Sequence, residues 1–382
     1  MPHATCNGQP CRIGINGFGR IGRTTFRASL DRDDLEVVAI NHTAPTYKHL
    51  LHSILYDTTH GYCKHAADLS IDETGSALFF RGRRIPLFSQ RDPKLLDWES
   101  VGAEYIIEST GKLLTVEAAS QHLTDAGAKK VVISAPSPDA KTIVVGVNRK
   151  EYDPDMTVVS NASCTTNCLA PLAKVLHNAF GIETGMMTTV HASTSSQHIL
   201  DGYSKKSLRL GRAVGSNIIP TSTGAQKAVA QVLPELAGKF TGISVRVPVS
   251  NVSMVDLCVT LSTPVPSKEA LLQPLRDAAA GKLKSSIGPL SKVITVSDDE
   301  LVSSDFCGWP QSCIVDGVAT TMLDEKTFKI IAWYDNERGY SERLLDLAVY
   351  MYSMDLGVQS PPDKAAGPVN SASLAAAVEA AL

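Results

Sequence analysis

The sequence predicts an α/β domain with an open parallel sheet, followed by an α+β domain built on a larger, mainly antiparallel sheet. Three observations predict it. From Cys11 a strand, a glycine turn, a helix and a second strand follow one another within about 30 residues. Strand–helix alternation then continues to Ser163. Beyond Cys164 the apolar runs lengthen and alternate, with few helical breaks.

A chain of 382 residues suggests two domains. Its 43% hydrophobic and 20% charged residues are those of an ordinary soluble globular protein, and a net charge of −3 leaves no basic footprint for nucleic acid. No apolar run approaches the roughly 18 residues of a membrane helix. The first residues lack a signal-peptide pattern, so a cytoplasmic location is the default expectation. The eight cysteines form no C-x-x-C pair, which predicts reduced thiols, with neither a disulfide frame nor a zinc site.

Residues 11–16 read as a short apolar strand. Gly17-Phe18-Gly19-Arg20-Ile21-Gly22 matches G-x-G-x-x-G, residues 23–30 read as a helix, and 35–40 as the second strand. Glycine lets the backbone approach a pyrophosphate closely, and the helix N-terminus then binds its charge. This predicts dinucleotide binding. The acid expected at the end of the second strand, to hold the ribose 2′-hydroxyl, is missing. His42 stands there, with Lys48 and His49 near in sequence, so either NAD or NADP fits. Five of the ten histidines, at 42, 49, 52, 60 and 65, fall in this stretch, but their spacing matches no ligand pattern and no metal is expected. Residues 105–108 read as a strand turning at Ser109-Thr110-Gly111, 116–125 as a helix, and 131–136 and 142–147 as strands that complete the sheet.

Ser160-Asn161-Ala162-Ser163-Cys164-Thr165-Thr166-Asn167-Cys168 lies between a β-branched strand at 157–159 and an apolar helix from 169. With Ser163 as N-cap, Cys164 falls in the first helical turn, where free N–H groups and the macrodipole favour a thiolate and can hold an oxyanion. Cys164 is therefore the candidate nucleophile and Cys168 a core residue. Residues 185–191 and 243–260 read as sheet, 201–215 as a long ordered loop, and 268–280 as an amphipathic helix. Residues 329–334 read as a strand, 342–354 as a closing helix, and everything from 357 as a tail. His191 is the candidate base, although a core histidine reads the same way. Thr221-Ser222-Thr223-Gly224 before a helix suits an anion, and Arg246 is a charge inside an apolar strand, either paired or aimed at a ligand. Together these residues describe a nicotinamide enzyme with a thiol nucleophile and two anion pockets.

The motifs at 15–23, 160–168, Thr189-Val190-His191-Ala192, Thr223-Gly224 and Trp333-Tyr334-Asp335-Asn336-Glu337 resemble the glyceraldehyde-3-phosphate dehydrogenase family over about residues 11–356. The resemblance implies a Rossmann domain at 1–163, completed by a helix at about 338–356, with a catalytic domain at 164–337 and a tail at 357–382. It also implies a homotetramer in which loop 201–215 lies against a neighbour's cofactor site. The small phosphorylated aldehyde would be attacked by Cys164, with His191 taking the thiol proton. Inorganic phosphate, as co-substrate, would cleave the thioester. Thr194, Ser196 and Arg246 match the substrate-phosphate pocket, and Ser163, Thr165, Thr223 and Gly224 match the attacking-phosphate site, with Arg212 bordering both. On the cofactor side the resemblance implies Gly17, Gly19, Arg20, Ile21, Gly22, His42, Thr110, Gly111, Ser134, Asn336 and Tyr340.

Three departures stand out. His42 replaces the family's usual acid, Tyr203 stands where proline is usual, and Ser196 replaces a threonine. They suggest a divergent isozyme with dual or NADP-leaning preference, and an altered copy that escapes thiol-reactive inhibitors is one form such divergence takes. An erythrose-4-phosphate dehydrogenase and a catalytically silent protein of the same fold are the alternatives. A semialdehyde dehydrogenase suits two phosphate-like pockets poorly.

Overall fold

A computed structural model describes residues 8–195, 197–283 and 290–358. Ser196 and residues 359–382, which make up nearly all of the expected tail, lie outside the described residues.

The first sheet has nine strands. Its centre is parallel, in the order Leu35–Asn41, Cys11–Asn16, Tyr105–Glu108, Lys130–Ile133, Val158–Ser160. These strands are buried on both faces and carry the β-branched runs that such burial needs. The chain leaves Cys11–Asn16 for the strand on one side and later returns to the other side. The crevice at its carboxyl end is thus a topological switch point, where α/β sheets bind ligands. An antiparallel ribbon of Leu69–Ile71, Ala77–Phe80 and Arg83–Phe88 extends one edge. Helix Arg20–Ser29 packs against the closing helix Arg338–Asp355, which thereby returns to the first sheet.

The second sheet has seven strands, in the order Ile219–Thr221, Phe240–Arg246, Ile182–His191, Ser253–Leu261, Thr327–Tyr334, Cys313–Met322, Ile294–Ser297. Four of its six pairings are antiparallel, as expected. Helix Cys164–Phe180 packs against it.

The strand expected at 131–136 ends at Ile133 and the closing helix begins at Arg338, and three further elements differ in kind. The strand expected at 142–147 ends at Thr142, because Asn148 accepts from Val144 N at 2.8 Å, donates to Thr142 O at 3.0 Å and folds the run into a turn. The apolar run at 243–260 is two strands, broken where Val252 takes φ 67°. The helix expected at 116–125 divides at Ser120 into two single turns.

Arg32 ties the first sheet to the closing helix. Buried, it reaches Asp34 at 2.7 Å, Asp346 at 2.6 Å and Glu342 at 3.5 Å. Removing one partner of a buried ion pair leaves uncompensated charge. Arg32→Met is expected to cost about 3–5 kcal/mol, read as a fall in Tm; an unchanged Tm would contradict this role.

Candidate active site

The cofactor loop is built by close approach. Gly17 takes φ 89°, and a Cβ there would lie 2.7 Å from Thr110 N. A Cβ on Gly22 would meet Gly17 O at 2.1 Å. No residue with a side chain fits either position, which leaves a backbone cradle at the N-terminus of helix Arg20–Ser29. Gly19 caps that helix, and the N–H groups of its first turn, at Arg20 and Ile21, are of the kind a helix leaves without intrahelical acceptors. These residues fit a dinucleotide pyrophosphate. The Arg20 side chain is otherwise engaged, with Asp57 and with Glu337 (Nε to Oε1 2.8 Å), so its contribution to the cradle is backbone.

A buried polar network sets the crevice beside this loop. Trp98 Nε1 donates to His122 Nδ1 at 3.1 Å, His122 Nε2 lies 3.0 Å from Glu108, and Asn16 donates to Glu108 at 2.5 Å. Asn41 in turn donates to Asn16 at 2.7 Å. Glu108 also accepts from Thr110 N at 2.8 Å, placing the turn that ends in Gly111, φ 70°. Ser109 Oγ donates to Gly17 O at 2.6 Å, and Ser134 N donates to Glu108 O at 2.9 Å. His42 is buried at the end of the second strand, where its Nδ1 accepts from Ala44 N at 3.0 Å. Burial pushes its pKa down, so the group in the acid's place is a neutral ring with its Nε2 edge uncommitted to that bond.

On the thiol side, Ser163 Oγ accepts from Thr166 N at 3.1 Å, and Cys164 is the first residue of its helix, as expected. Ala162 holds φ 58°, a left-handed conformation rare for a residue with a Cβ. Asn167 steadies this turn, donating to Asn161 O at 2.8 Å and Ser163 O at 3.0 Å. Tyr340, assigned to the cofactor by resemblance, is buried with its hydroxyl donating to Ala162 O at 2.9 Å, so it braces the turn.

Cys164 Sγ lies 3.5 Å from His191 Nε2. The sheet register brings the rest. His191 pairs with Arg246 across parallel strands, and Arg246 with Ile219. Arg246 Nη1 lies 2.5 Å from His191 Nδ1, which is also 2.8 Å from Ala192 O. Burial, and then the Arg246 charge, push His191 down to about 4, so the ring is neutral at physiological pH and free to take a proton. The expected thiolate is not what this environment favours. Burial pushes the Cys164 thiol up, and Arg246 together with the Thr165 N–H and hydroxyl pulls it only part of the way back.

The other predicted residues divide. Thr165 is buried, its hydroxyl 2.9 Å from Tyr334 Oη. Thr194 N donates to Gln197 Oε1 at 3.0 Å. Thr223 Oγ1 accepts from Ala225 N at 3.2 Å, and Gly224 caps helix Ala225–Val232; among the described residues no hydrogen bond of the Cys164–His191–Arg246 group reaches either. Arg212 is turned to Asp201 at 2.9 Å on the exposed loop. Sequence reasoning missed Ser253, which accepts from Ala192 N at 3.0 Å and donates to Asn336 Oδ1 at 2.8 Å, orienting that amide and leaving its nitrogen side for another partner. It also missed Tyr334, whose ring meets the His191 ring edge-on with centroids 6.1 Å apart. Tyr334 lay inside the quoted 333–337 motif, whereas nothing local marked Ser253.

A glycine cradle at a switch point and a thiol beside a neutral imidazole define the class: a dinucleotide-dependent oxidoreductase. The family assignment follows from comparison with known proteins. The family model described as the NAD binding domain of glyceraldehyde 3-phosphate dehydrogenase matches residues 11–116, and that of its C-terminal domain matches residues 163–336. The chain is 50% identical to the glyceraldehyde-3-phosphate dehydrogenase of Glossina morsitans morsitans, over 90% of this chain and 99% of that one. It is also 50% identical to a cytosolic one of Craterostigma plantagineum, over 89% and 98%. A chloroplastic one of Arabidopsis thaliana is 49% identical, over 89% of this chain and 78% of that one. The chain belongs to the glyceraldehyde-3-phosphate dehydrogenase family and is a nicotinamide-dependent oxidoreductase. Among the described residues no helix is long and apolar enough to cross a membrane.

Arg246→Gln removes the cation facing His191. The imidazolium then loses a repulsion, so the His191 pKa is expected to rise by about one unit or more in an NMR titration. An unchanged or lower value would contradict the geometry.

Proposed function

We propose that the chain oxidises D-glyceraldehyde 3-phosphate to 1,3-bisphosphoglycerate, with NAD or NADP and inorganic phosphate, through a thioester on Cys164. The observation that carries this reading is the 3.5 Å approach of Cys164 Sγ to a neutral His191 at a helix N-terminus. His191 with Nδ1–H donated to Ala192 O turns the Nε2 lone pair to the sulfur and takes the thiol proton as Sγ attacks the aldehyde. Helix N–H groups at Cys164 and Thr165 hold the oxyanion of the hemithioacetal. When bound, the nicotinamide accepts the hydride. Asn336, oriented by Ser253, positions its carboxamide. His191 then serves as acid or base while phosphate cleaves the thioester.

Arg246 approaches the same Nδ1, a contact that fits the other tautomer. Substrate phosphate, held by Arg246 with Thr194 and Ser196, draws the guanidinium off and leaves the catalytic tautomer. Ser163, Thr165, Thr223 and Gly224 receive the attacking phosphate, with Arg212 at the border. Ile199, Leu200, Tyr203 and Leu208 are exposed apolar side chains on one loop, which supports a homotetramer whose neighbouring subunit covers them. The relative named cytosolic supports a cytoplasmic enzyme, whereas chloroplastic relatives of similar identity show that the family also works in plastids.

The neutral His42 supports a dual or NADP-leaning preference, since no carboxylate there repels a 2′-phosphate. Initial rates with NAD and NADP, each with and without phosphate, test the reaction. Phosphate-dependent oxidation with both cofactors is expected. A phosphate-independent rate, better with erythrose 4-phosphate, would favour the alternative substrate, and no rate in cofactor-loaded protein would mark a silent relative. His42→Asp is expected to lower kcat/KM for NADP relative to NAD by at least about tenfold, roughly 1.4 kcal/mol; an unchanged ratio would remove His42 from the specificity argument.

A further inference from the structure

Away from the Cys164 group, three side chains from two distant parts of the chain meet beside helix Arg20–Ser29. His60, Cys307 and Asp335 each offer one ligand atom, all within 4.8 Å of one another. His60 and Cys307 also line a cavity of about 460 Å³ whose wall includes Cys63, Arg23 and Arg338. We propose that His60, Cys307 and Asp335 form a binding site for one zinc-class divalent cation, with a water from the cavity as fourth ligand.

The donor set is an imidazole, a thiol and a carboxylate, the three ligand types zinc takes. Ligands around a tetrahedral zinc stand about 3.5 Å apart, given the usual bond lengths. Cys307 Sγ and His60 Nδ1 are 4.0 Å apart and need close by only about half an ångström. The outer contacts are those of a metal-bound histidine. His60 Nε2 lies 2.8 Å from Glu337 Oε2, which sets the ring and turns Nδ1 toward the sulfur. Asp335 is held rigid, one oxygen accepting from Gly308 N at 2.7 Å and the other from Glu337 N at 2.9 Å and Arg338 N at 2.8 Å. The second oxygen has both lone pairs engaged, so the first, with its single Gly308 N–H, is the one with capacity for a metal.

Two nearby cations are matched, Arg20 by Asp57 and Glu337 and Arg338 by Asp31 and Glu342, while Arg23 on the cavity wall donates to the carbonyl of Phe18. A thiolate and a carboxylate within the donor set balance the charge of the divalent ion. Cys307 Sγ also donates to Thr59 O at 3.4 Å, a contact that metal binding replaces.

Cys164 and His191 are themselves a thiol–imidazole pair, so the test uses the full chain with Cys164→Ser. Titrated with Co²⁺ alone, this protein is expected to bind one equivalent and show a thiolate-to-cobalt charge-transfer band. Zn²⁺ alone is expected to raise its Tm. Adding Cys307→Ser, a change on a partly exposed loop, is expected to abolish the band, weaken binding at least tenfold and remove the Tm shift. Adding Cys63→Ser is expected to change none of these. The proposal is overturned if the Cys164→Ser protein shows no band, if the band survives Cys307→Ser, or if it is lost with Cys63→Ser.

Discussion

Ala162 holds a left-handed backbone at φ 58°, and the reactive geometry depends on that turn. The conformation is unfavourable for a residue with a Cβ and persists only where its surroundings over-determine it. Here Tyr340 holds its carbonyl, Ser160 Oγ accepts its N–H at 3.1 Å, and Asn167 ties the residues on either side. The result is a helix that starts at Cys164, with the sulfur facing His191 and not the core that takes Cys168. A relaxed turn would rotate the first helical residue and lose that approach.

The chain from Tyr334 to Tyr340 clamps the two halves of the site together. Tyr334 meets Thr165 and His191, Asn336 meets Ser253, Glu337 meets Arg20 and His60, and Tyr340 meets Ala162. One short segment thus touches the turn before Cys164, the strand that ends in His191 and the helix that starts at Arg20. Asp335, near its start, caps the closing helix by accepting from the N–H groups of Glu337 and Arg338. A cation bound at Asp335 would act on all of these contacts through one turn.

Local chemistry made much of this legible in the sequence. The glycine turn announced itself because only glycine fits Gly17 and Gly22, and Cys164 because hydroxyl and amide residues cluster at a strand-to-helix change. Contacts between distant residues were not legible. The Trp98–His122–Glu108–Asn16 network, Ser253 behind Asn336, and Cys307 beside His60, 247 residues apart, leave no periodic or local mark. The thiolate expected at Cys164 is opposed for a related reason: the helix N-terminus is visible in sequence, but the burial that pushes the thiol up belongs to the tertiary fold. The strand expected at 142–147 failed because Asn148 rewards a turn more than a ladder does.

The central claim is that Cys164, set by the Ala162 turn and served by His191, carries the acyl group. Rapid mixing of enzyme, cofactor and glyceraldehyde 3-phosphate without inorganic phosphate, followed by acid quench and peptide mass analysis, tests it most directly. The account predicts a burst of one reduced cofactor per subunit and a matching acyl adduct on the peptide bearing Cys164. Steady turnover without a burst, or an adduct on any other residue, would contradict it.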